Sequence, residues 1–443
     1  MRGVANQELT PELAFSIGRA GSAVLAHTSD RHKPVIIGRD TRLSGTMLEA
    51  AIVAGVTSVG RDALLLGVIP TPAVARVAVL DGAAAGIMIS ASHNPIADNG
   101  IKFFGSDGFK LSDDLEDEIE SLVGSADIAR PVGTDVGVAR AAYNLGAHYI
   151  NAVVEAGSDL SGMTIVVDAA FGAAYSVGPV IFKRLGARVV ELHCESDGGR
   201  INVRCGATDL RPLVDKVGEL IARGNRNVVG VAFDGDADRA LFVDEAGTIL
   251  SGDHVMLILG RDLHARSELP GAAVIGTVMS NIGLERALLH HGIGLERAPV
   301  GDRYVLERMR AGGYRLGGEQ SGHIIDLRYN TTGDGPMTAV TLFSIAADRN
   351  ATLHEMASEL TVYPQVLINV KTARKEVLDD PIVRAAMEET EQQLRARGRL
   401  LVRASGTEPL IRVMIEGDDK AEIERLSNEL AGHIARVASR MLA

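Results

Sequence analysis

The sequence is poor in cysteine and contains no long run of basic or of apolar residues. Cys194 and Cys205 are the two cysteines among 443 residues, and they do not form a CxxC pair. This usage is typical of structural thiols in a reducing compartment and argues against a cysteine metal site. The net charge is −12 without a basic tract, so nucleic acid is not an expected partner.

Long apolar segments are also missing. No run reaches the ~18 residues that cross a bilayer, so we expect no membrane partner. The first six residues lack the apolar core of a signal peptide, and we therefore expect a cytoplasmic protein.

Apolar residues are nevertheless abundant enough for several cores. Hydrophobic residues make up 46% of the chain and charged residues 23%, as in globular proteins. Strands and helices alternate in three similar units, each with a polar loop after its third strand, which predicts largely parallel sheets. The predicted fold class is α/β, with three related mixed α/β domains and a smaller C-terminal α+β domain. The expected domains are residues 1–138, 139–250, 251–361 and 362–443.

The first polar loop begins at Ser90, directly after an apolar strand, and includes Ser92 and His93. Folds of the α/β class place ligands at the carboxyl ends of such strands. A serine on a rigid turn suits a nucleophile or a phosphate carrier. An ordinary turn stays open as the alternative, because Ser, Asn and Pro are common turn residues.

The second polar loop carries three carboxylates, on Asp234, Asp236 and Asp238. This spacing places them on one face of an extended segment. Like charges so close repel unless a cation lies among them, and oxygen ligands suit Mg²⁺. An acidic surface turn is disfavoured because a fully apolar strand precedes the loop. An EF-hand is rejected because Arg239 occupies its glycine position.

Two further loops are weaker signals on their own. Residues 318–323 contain a carboxylate and a hydroxyl between two glycines. The carboxylate and the hydroxyl are natural partners for the hydroxyls of a sugar. Residues 403–409 combine an arginine, two hydroxyls and a glycine, a set that suits a phosphate monoester, and Arg412 lies close by.

In the order of these four loops the chain resembles the α-D-phosphohexomutase superfamily over essentially its whole length. The resemblance implies four domains around one central cleft and interconversion of glucosamine 6-phosphate and glucosamine 1-phosphate, feeding UDP-N-acetylglucosamine and cell-wall synthesis. It implies a phosphoserine, Mg²⁺, and glucosamine 1,6-bisphosphate as intermediate and activator. The implied substrate is a phosphosugar, while a homodimer and an unidentified activating kinase are left open.

The resemblance also implies roles for individual residues. The expected catalytic residues are Ser92, His93, Lys102 and Arg2. The expected metal ligands are Ser92, Asp234, Asp236 and Asp238. The expected substrate-binding residues are Arg239, Arg303, Glu319, Ser321, His323, Arg403, Ser405, Gly406, Thr407 and Arg412. Asp40 and Arg42 are interpreted as an ion pair near the serine loop, and a role for His93 as a cap of its own loop stays open.

Three other functions compete with this one. A phosphomannomutase or phosphoglucomutase would share the mechanism and differ in the sugar. A non-catalytic sugar-phosphate binder would not need Ser92, the three aspartates and Lys102. A metal-dependent phosphatase with an aspartyl nucleophile would need neither Ser92 nor the loop at Arg403.

The amino terminus departs from the superfamily pattern. Superfamily members usually begin with a short strand before the Arg-Gly pair that here is Arg2 and Gly3. We therefore expect the biological start about ten residues upstream and Arg2 on a fraying terminus. We also expect unpaired backbone groups on the neighbouring strand.

Overall fold

The computed structural model describes residues 1–28, 33–405 and 409–441, in which four sheets follow one another along the chain. We call each sheet with its helices a unit. The sheets of units 1 to 3 are mixed, and the sheet of unit 4 is antiparallel throughout. The predicted class of three α/β units and a smaller α+β unit is confirmed.

Unit 1 contains the amino terminus and the serine loop. Its strands are β1 (Arg2–Val4), β2 (Val35–Arg39), β3 (Ala63–Val68), β4 (Ala85–Ile89), β5 (Asp98–Gly105) and β6 (Ala139–Ala141). Its helices are α1 (Pro11–Thr28), α2 (Gly45–Thr57), α3 (Thr71–Leu80) and α4 (Asp113–Leu122). The strand order is β1-β5-β4-β2-β3-β6. Although a domain boundary is predicted after residue 138, β6 pairs with β3 of this sheet.

Unit 2 contains the three aspartates. Its strands are β7 (Thr164–Asp168), β8 (Arg188–Leu192), β9 (Val228–Phe233), β10 (Ala240–Val243) and β11 (Ile249–Leu250). Its helices are α5 (Gly146–Glu155), α6 (Gly178–Arg184) and α7 (Arg211–Ala222). The strand order is β11-β10-β9-β7-β8, with parallel pairs at β7 and antiparallel pairs at β10.

Unit 3 contains the predicted sugar loop. Its strands are β12 (Ala273–Thr277), β13 (Gly294–Ala298), β14 (Leu316–Gly318) and β15 (Ile324–Asp326). Its helices are α8 (Gly252–Ala265), α9 (Ile282–His290), α10 (Asp302–Gly312), α11 (Gly335–Arg349) and α12 (Leu353–Ala357). The strand order is β13-β12-β14-β15.

Unit 4 is the smallest. Its strands are β16 (Gln365–Lys371), β17 (Gly398–Ala404) and β18 (Leu410–Gly417), in the order β16-β18-β17. Its helices are α13 (Pro381–Leu394) and α14 (Lys420–Arg440).

The three mixed sheets share one device that positions the polar loops. In each, a strand turns back into an antiparallel partner: β4 into β5, β9 into β10, and β14 into β15. The polar loops are the turns of these hairpins, at residues 90–97, 234–239 and 319–323. A hairpin turn is fixed at both ends by its ladder, so each loop has a rigid base.

Units 1 to 3 share a continuous hydrophobic core, which holds their hairpin turns in fixed relation. Met88 of unit 1, Val231 of unit 2 and Val340 of unit 3 belong to the same buried cluster. The aromatic ring of Phe343 on α11 packs at 5.7 Å from Phe182. Unit 4 has a separate core of its own residues.

The expectation that Arg2 frays is wrong. Arg2–Val4 forms an edge strand, in which Arg2 lies opposite Gly100. The amino group of Met1 donates to the carbonyl of Ile101 at 3.1 Å, and the Ile101 N–H donates back to Met1 at 3.0 Å. This stretch of β5 therefore has its backbone groups paired.

Within the described ranges, no helix combines the length and the apolar character that a membrane crossing needs.

Candidate active site

The turns of units 1 and 2 meet at Ser92. Its hydroxyl Oγ lies 2.6 Å from Asp234 Oδ2 and 3.5 Å from Asp238 Oδ1, and the residue is buried. Gly235 makes the approach possible, because a Cβ there would lie 2.6 Å from the Ser92 carbonyl oxygen. The fold thus brings the predicted phosphate carrier into the predicted metal loop.

Two side chains from outside the turn hold the backbone of Ser92. Arg42 Nη2 and Asn202 Nδ2 each donate to the Ser92 carbonyl oxygen at 2.9 Å. Ser92 has a φ of +53°, a left-handed conformation that costs a non-glycine residue free energy. Arg42 also donates to the carbonyls of Asn94, Pro95 and Asp98. The buried guanidinium of Arg42 and the side-chain amide of Asn202 therefore stabilise the backbone of the serine turn.

Asp40 is the partner of Arg42, as the sequence interpretation expected. Its Oδ2 accepts from Arg42 Nε at 3.0 Å and from the Ser90 hydroxyl at 2.7 Å. Burial raises the pKa of Asp40 to about 6, although the charge of Arg42 opposes that shift. The same Ser90 hydroxyl accepts from the N–H of Ser92 at 2.9 Å, so the ion pair and the reactive turn form one network.

Lys102 on β5 neutralises part of the acidic loop. Its Nζ donates to Asp236 Oδ2 at 2.6 Å and to Asp238 Oδ2 at 3.2 Å. Burial opposes the charge on Lys102, but the two carboxylates outweigh burial and raise its pKa. The side chain is therefore a fixed ammonium ion at the site.

The three aspartates form the acidic group that the sequence predicts. They are buried, and one carboxylate oxygen from each lies within 4.8 Å of the others. Burial and the charges of Asp238 and Asp236 raise the pKa of Asp234 well above its usual range. For Asp238, Lys102 and His323 outweigh burial and lower the pKa.

The donor set fits a hard divalent cation. Asp236 Oδ1 is buried and has no hydrogen-bond partner among the described residues. An orphan carboxylate oxygen beside two more carboxylates is stabilised by a cation, and oxygen ligands are the ones that Mg²⁺ prefers.

His93 lies on the other side of the serine hydroxyl. Its Nδ1 is 3.3 Å from Ser92 Oγ. Burial, followed by the charges of Arg239 and Arg2, lowers the pKa of His93 to about 4. The imidazole is therefore neutral near pH 7.

His323 lies behind the acidic loop. Its Nε2 accepts from the N–H of Gly333 at 3.1 Å, so its proton is on Nδ1, which lies 3.7 Å from Asp238 Oδ1. Gly333 cannot carry a side chain, because a Cβ there would overlap the imidazole. The residue predicted to bind substrate thus contacts the metal loop, and its contact with a sugar stays a prediction.

Glu319, Ser321 and Arg239 are three further residues with predicted roles in substrate binding. Glu319 Oε1 accepts from the N–H of Gly301 at 3.1 Å, and Ser321 is partly exposed on the same turn. Arg239 Nε lies 4.0 Å from Asp238 Oδ1.

Arg303 is engaged away from the acidic loop. Its guanidinium pairs with Asp113 of unit 1 and with Glu307 of unit 3. Its predicted contact with phosphate would require the exchange of these partners.

The predicted phosphate loop lies on unit 4. Arg403 and Arg412 face each other across β17 and β18. Burial, and then the charge of Arg412, lower the pKa of Arg403. Ser405 is buried, whereas Gly406 and Thr407 lie outside the described residues.

Thr71 is a site residue that the sequence interpretation missed. Its hydroxyl donates to Asp236 Oδ2 at 2.5 Å, and its N–H donates to the Asp236 carbonyl at 2.9 Å. The available signal was its position: it follows β3 at the same carboxyl edge as the serine turn. Asn202, in contrast, lies in an irregular segment that carries no such signal.

Four family descriptions match the chain in order. Residues 1–129, 147–247 and 251–363 match the phosphoglucomutase/phosphomannomutase alpha/beta/alpha domains I, II and III, and residues 367–433 match the C-terminal domain. The chain belongs to the phosphoglucomutase/phosphomannomutase family.

Individual relatives within this family are close. A phosphoglucosamine mutase of Moorella thermoacetica is 52% identical over 443 residues, covering 99% of this chain and 98% of the relative. One of Thermoanaerobacter sp. (strain X514) is 48% identical over 441 residues, covering 98% and 97%. A crystal structure of a phosphoglucomutase/phosphomannomutase family protein from Burkholderia thailandensis superposes with a TM-score of 0.84 at 25% identity, covering 99% of this chain and 96% of that one.

Proposed function

We propose that this chain interconverts glucosamine 6-phosphate and glucosamine 1-phosphate through a phosphorylated Ser92 and a glucosamine 1,6-bisphosphate intermediate. The observation that carries the proposal is the position of Ser92 Oγ, 2.6 Å from Asp234 Oδ2 and 3.3 Å from His93 Nδ1. Relatives about half identical over nearly the whole chain bear the name phosphoglucosamine mutase, which supports glucosamine as the sugar.

The reaction consists of two phosphoryl transfers, one from Ser92 to the sugar and one from the sugar back to Ser92. First, a sugar hydroxyl oxygen attacks the phosphorus on Ser92, the bond from phosphorus to Oγ breaks, and the sugar proton passes to a base. Oγ takes up a proton in exchange. The bisphosphate then turns around, Ser92 Oγ attacks the other phosphorus, the bond from that phosphorus to the sugar oxygen breaks, and the proton of Oγ passes to that sugar oxygen. We assign His93 to these proton transfers because its Nδ1 lies 3.3 Å from Ser92 Oγ, and the Lys102 ammonium offsets charge on the oxygens.

We assign the metal site to Asp234, Asp236 and Asp238, with an oxygen on Ser92 as a further ligand. Bound there, Mg²⁺ would neutralise the charge of the transferring phosphoryl group. The unpartnered Asp236 Oδ1 supports this assignment.

The other predicted residues hold the substrate. We assign the sugar hydroxyls to Glu319 and Ser321, with His323 behind them. The phosphate contacts we assign are Arg2, Arg239, Arg303, Arg403, Ser405, Gly406, Thr407 and Arg412. From the same resemblance we expect a cytoplasmic enzyme that feeds UDP-N-acetylglucosamine and cell-wall synthesis and is activated by the bisphosphate, while a homodimer and an activating kinase are left open.

A coupled assay tests the function. Purified protein is given glucosamine, glucose or mannose 6-phosphate with Mg²⁺ and a catalytic amount of the matching 1,6-bisphosphate. We expect the highest kcat/KM with glucosamine phosphate and loss of turnover in excess EDTA. A higher kcat/KM with mannose or glucose phosphate would support a phosphomannomutase or phosphoglucomutase instead. No turnover of any sugar would support a non-catalytic binder.

A further inference from the structure

A second group of metal-ligating side chains lies in unit 2, apart from the three aspartates. Asp168 ends β7, His193 follows β8, and Cys205 precedes a short turn at residues 206–208. A carboxylate oxygen, an imidazole nitrogen and the cysteine sulfur lie within 4.8 Å of one another. Asp168 and Cys205 are buried, and His193 is partly exposed, so the group has one side open to solvent.

Hydrogen bonding leaves ligand atoms available in this group. His193 Nδ1 is buried and lies 3.1 Å from Asp168 Oδ1, a contact that raises the pKa of His193 and that a bound cation would replace. The Asp168 oxygens accept one backbone N–H each, from Ala170 at 2.9 Å and from Gly206 at 3.0 Å. Oδ2 keeps a second lone pair, so the carboxylate can bind a further partner.

The backbone at His193 is also unusual. Its φ is +49°, in the left-handed region that glycine occupies without cost. A substitution at this position must therefore tolerate the left-handed backbone, as asparagine does.

We propose that Asp168, His193 and Cys205 form a site for a thiophilic divalent cation of the Zn²⁺ class. Sulfur, nitrogen and oxygen donors are the set that Zn²⁺ binds, and three protein ligands leave a fourth position for water. One carboxylate and one thiolate balance a doubly charged ion. On binding, the Cys205 S–H bond breaks, its proton passes to solvent, and the sulfur forms the bond to the metal.

The site would fasten a segment that supports the reactive serine. Asn202, three residues before Cys205, donates to the Ser92 carbonyl oxygen. A cation that ties Cys205 to the ends of β7 and β8 therefore stabilises the folded chain, and ion binding raises the melting temperature.

Cd²⁺ is the probe, because a thiolate bound to Cd²⁺ gives a charge-transfer absorption that carboxylates do not give. The full chain is titrated with Cd²⁺ in saturating Mg²⁺, which occupies the three aspartates. Cys194 supplies the matched control, since its sulfur hydrogen-bonds to the carbonyls of Val167 and Leu192 and is not part of the group. We expect one equivalent of the absorption in the wild type and in Cys194→Ser, and none in Cys205→Ser.

A second variant keeps the proposal falsifiable if Cys205→Ser does not fold. His193→Asn retains the thiol and tolerates the left-handed backbone, and should bind Cd²⁺ at least about tenfold more weakly. At a fixed concentration, Zn²⁺ should raise the melting temperature of the wild type and of Cys194→Ser more than that of His193→Asn. No absorption in the wild type, unchanged Cd²⁺ affinity in His193→Asn, or loss of the absorption in Cys194→Ser would each overturn the proposal. These readouts do not depend on mutase activity, so they stand or fall separately from the proposed function.

Discussion

At the scale of single residues, the Asp236 carboxylate is held through one of its two oxygens. Thr71 and Lys102 both donate to its Oδ2, and Thr71 also binds its backbone carbonyl. Oδ1 is left as the oxygen that can face a cation. We therefore interpret Thr71 as a positioning residue that fixes the rotation of this carboxylate.

Replacing Thr71 by valine tests this interpretation, because valine keeps the branched shape and removes the hydroxyl. A hydrogen bond to a charged group contributes ~1.5–3 kcal/mol, so we expect Thr71→Val to bind Mn²⁺ about tenfold more weakly and to turn over more slowly. Mn²⁺ affinity is measured by titrating the protein with Mn²⁺ and following the electron paramagnetic resonance signal of the free ion. Thr71→Ser should bind Mn²⁺ like the wild type. Wild-type Mn²⁺ affinity in Thr71→Val would show that Lys102 alone holds the carboxylate.

At the scale of elements, strand ends were predictable and strand partners were not. Apolar runs ending in polar residues located the ends of β4 and β9, which stop at Ile89 and Phe233. The antiparallel return of β5, β10 and β15 was not predicted, because pairing depends on residues far along the chain. The roles of Thr71 and Asn202 were not predicted for the same reason, because their contacts with Asp236 and Ser92 form only when the chain folds.

The first turn of α8 contains a buried carboxylate without a counter-ion at hydrogen-bond distance. Burial raises the pKa of Asp253 to about 6. Its Oδ2 accepts from the N–H of Asn281 at 2.9 Å, while Oδ1 has no hydrogen-bond partner within the described chain. The folded state therefore takes up a proton at higher pH than the unfolded state.

This raised pKa gives the stability a pH dependence of known sign. The contribution of Asp253 to the free energy of unfolding is favourable at low pH and is lost as pH rises from about 4 to about 6. The loss is at most about 3 kcal/mol, from the size of the shift. Asp253→Asn should flatten the pH dependence of urea unfolding in this window and be more stable than the wild type at pH 7. Exposed Asp117→Asn on α4 is the control, and equal pH slopes in Asp253→Asn and the wild type would contradict the argument.

At the scale of the whole molecule, unit 4 has hydrophobic cores separate from that of units 1 to 3. Units 1 to 3 share one core, whereas unit 4 is joined to unit 3 mainly through polar contacts. The Asn281 side chain bonds the backbone of Tyr363 at both its N–H and its carbonyl. Arg399 of unit 4 donates to the carbonyls of Val278 and Ser280. Polar contacts at a short connection suit a hinge, so we expect the loop at Arg403 to close over the phosphate that is not reacting.

Removing the arginine of this loop should weaken binding without unfolding the unit. We expect Arg403→Ala to raise KM for the sugar phosphate at least about tenfold, because a charged hydrogen bond to phosphate is lost. Its melting temperature should stay close to that of the wild type, since Arg403 is only partly buried. Arg384→Ala, an exposed arginine on α13, is the matched control. Unchanged kinetic constants in Arg403→Ala would remove this loop from the substrate site.

The central claim is that Ser92 carries the phosphoryl group, and transfer of label tests it most directly. Dephosphorylated protein is incubated with glucosamine 1,6-bisphosphate carrying labelled phosphate, and intact mass and peptide mapping locate the label. The account predicts one phosphoryl group per chain, on Ser92, and none on Ser92→Ala, which should keep its fold and lose nearly all turnover. Label on another residue, or wild-type turnover in Ser92→Ala, would contradict it.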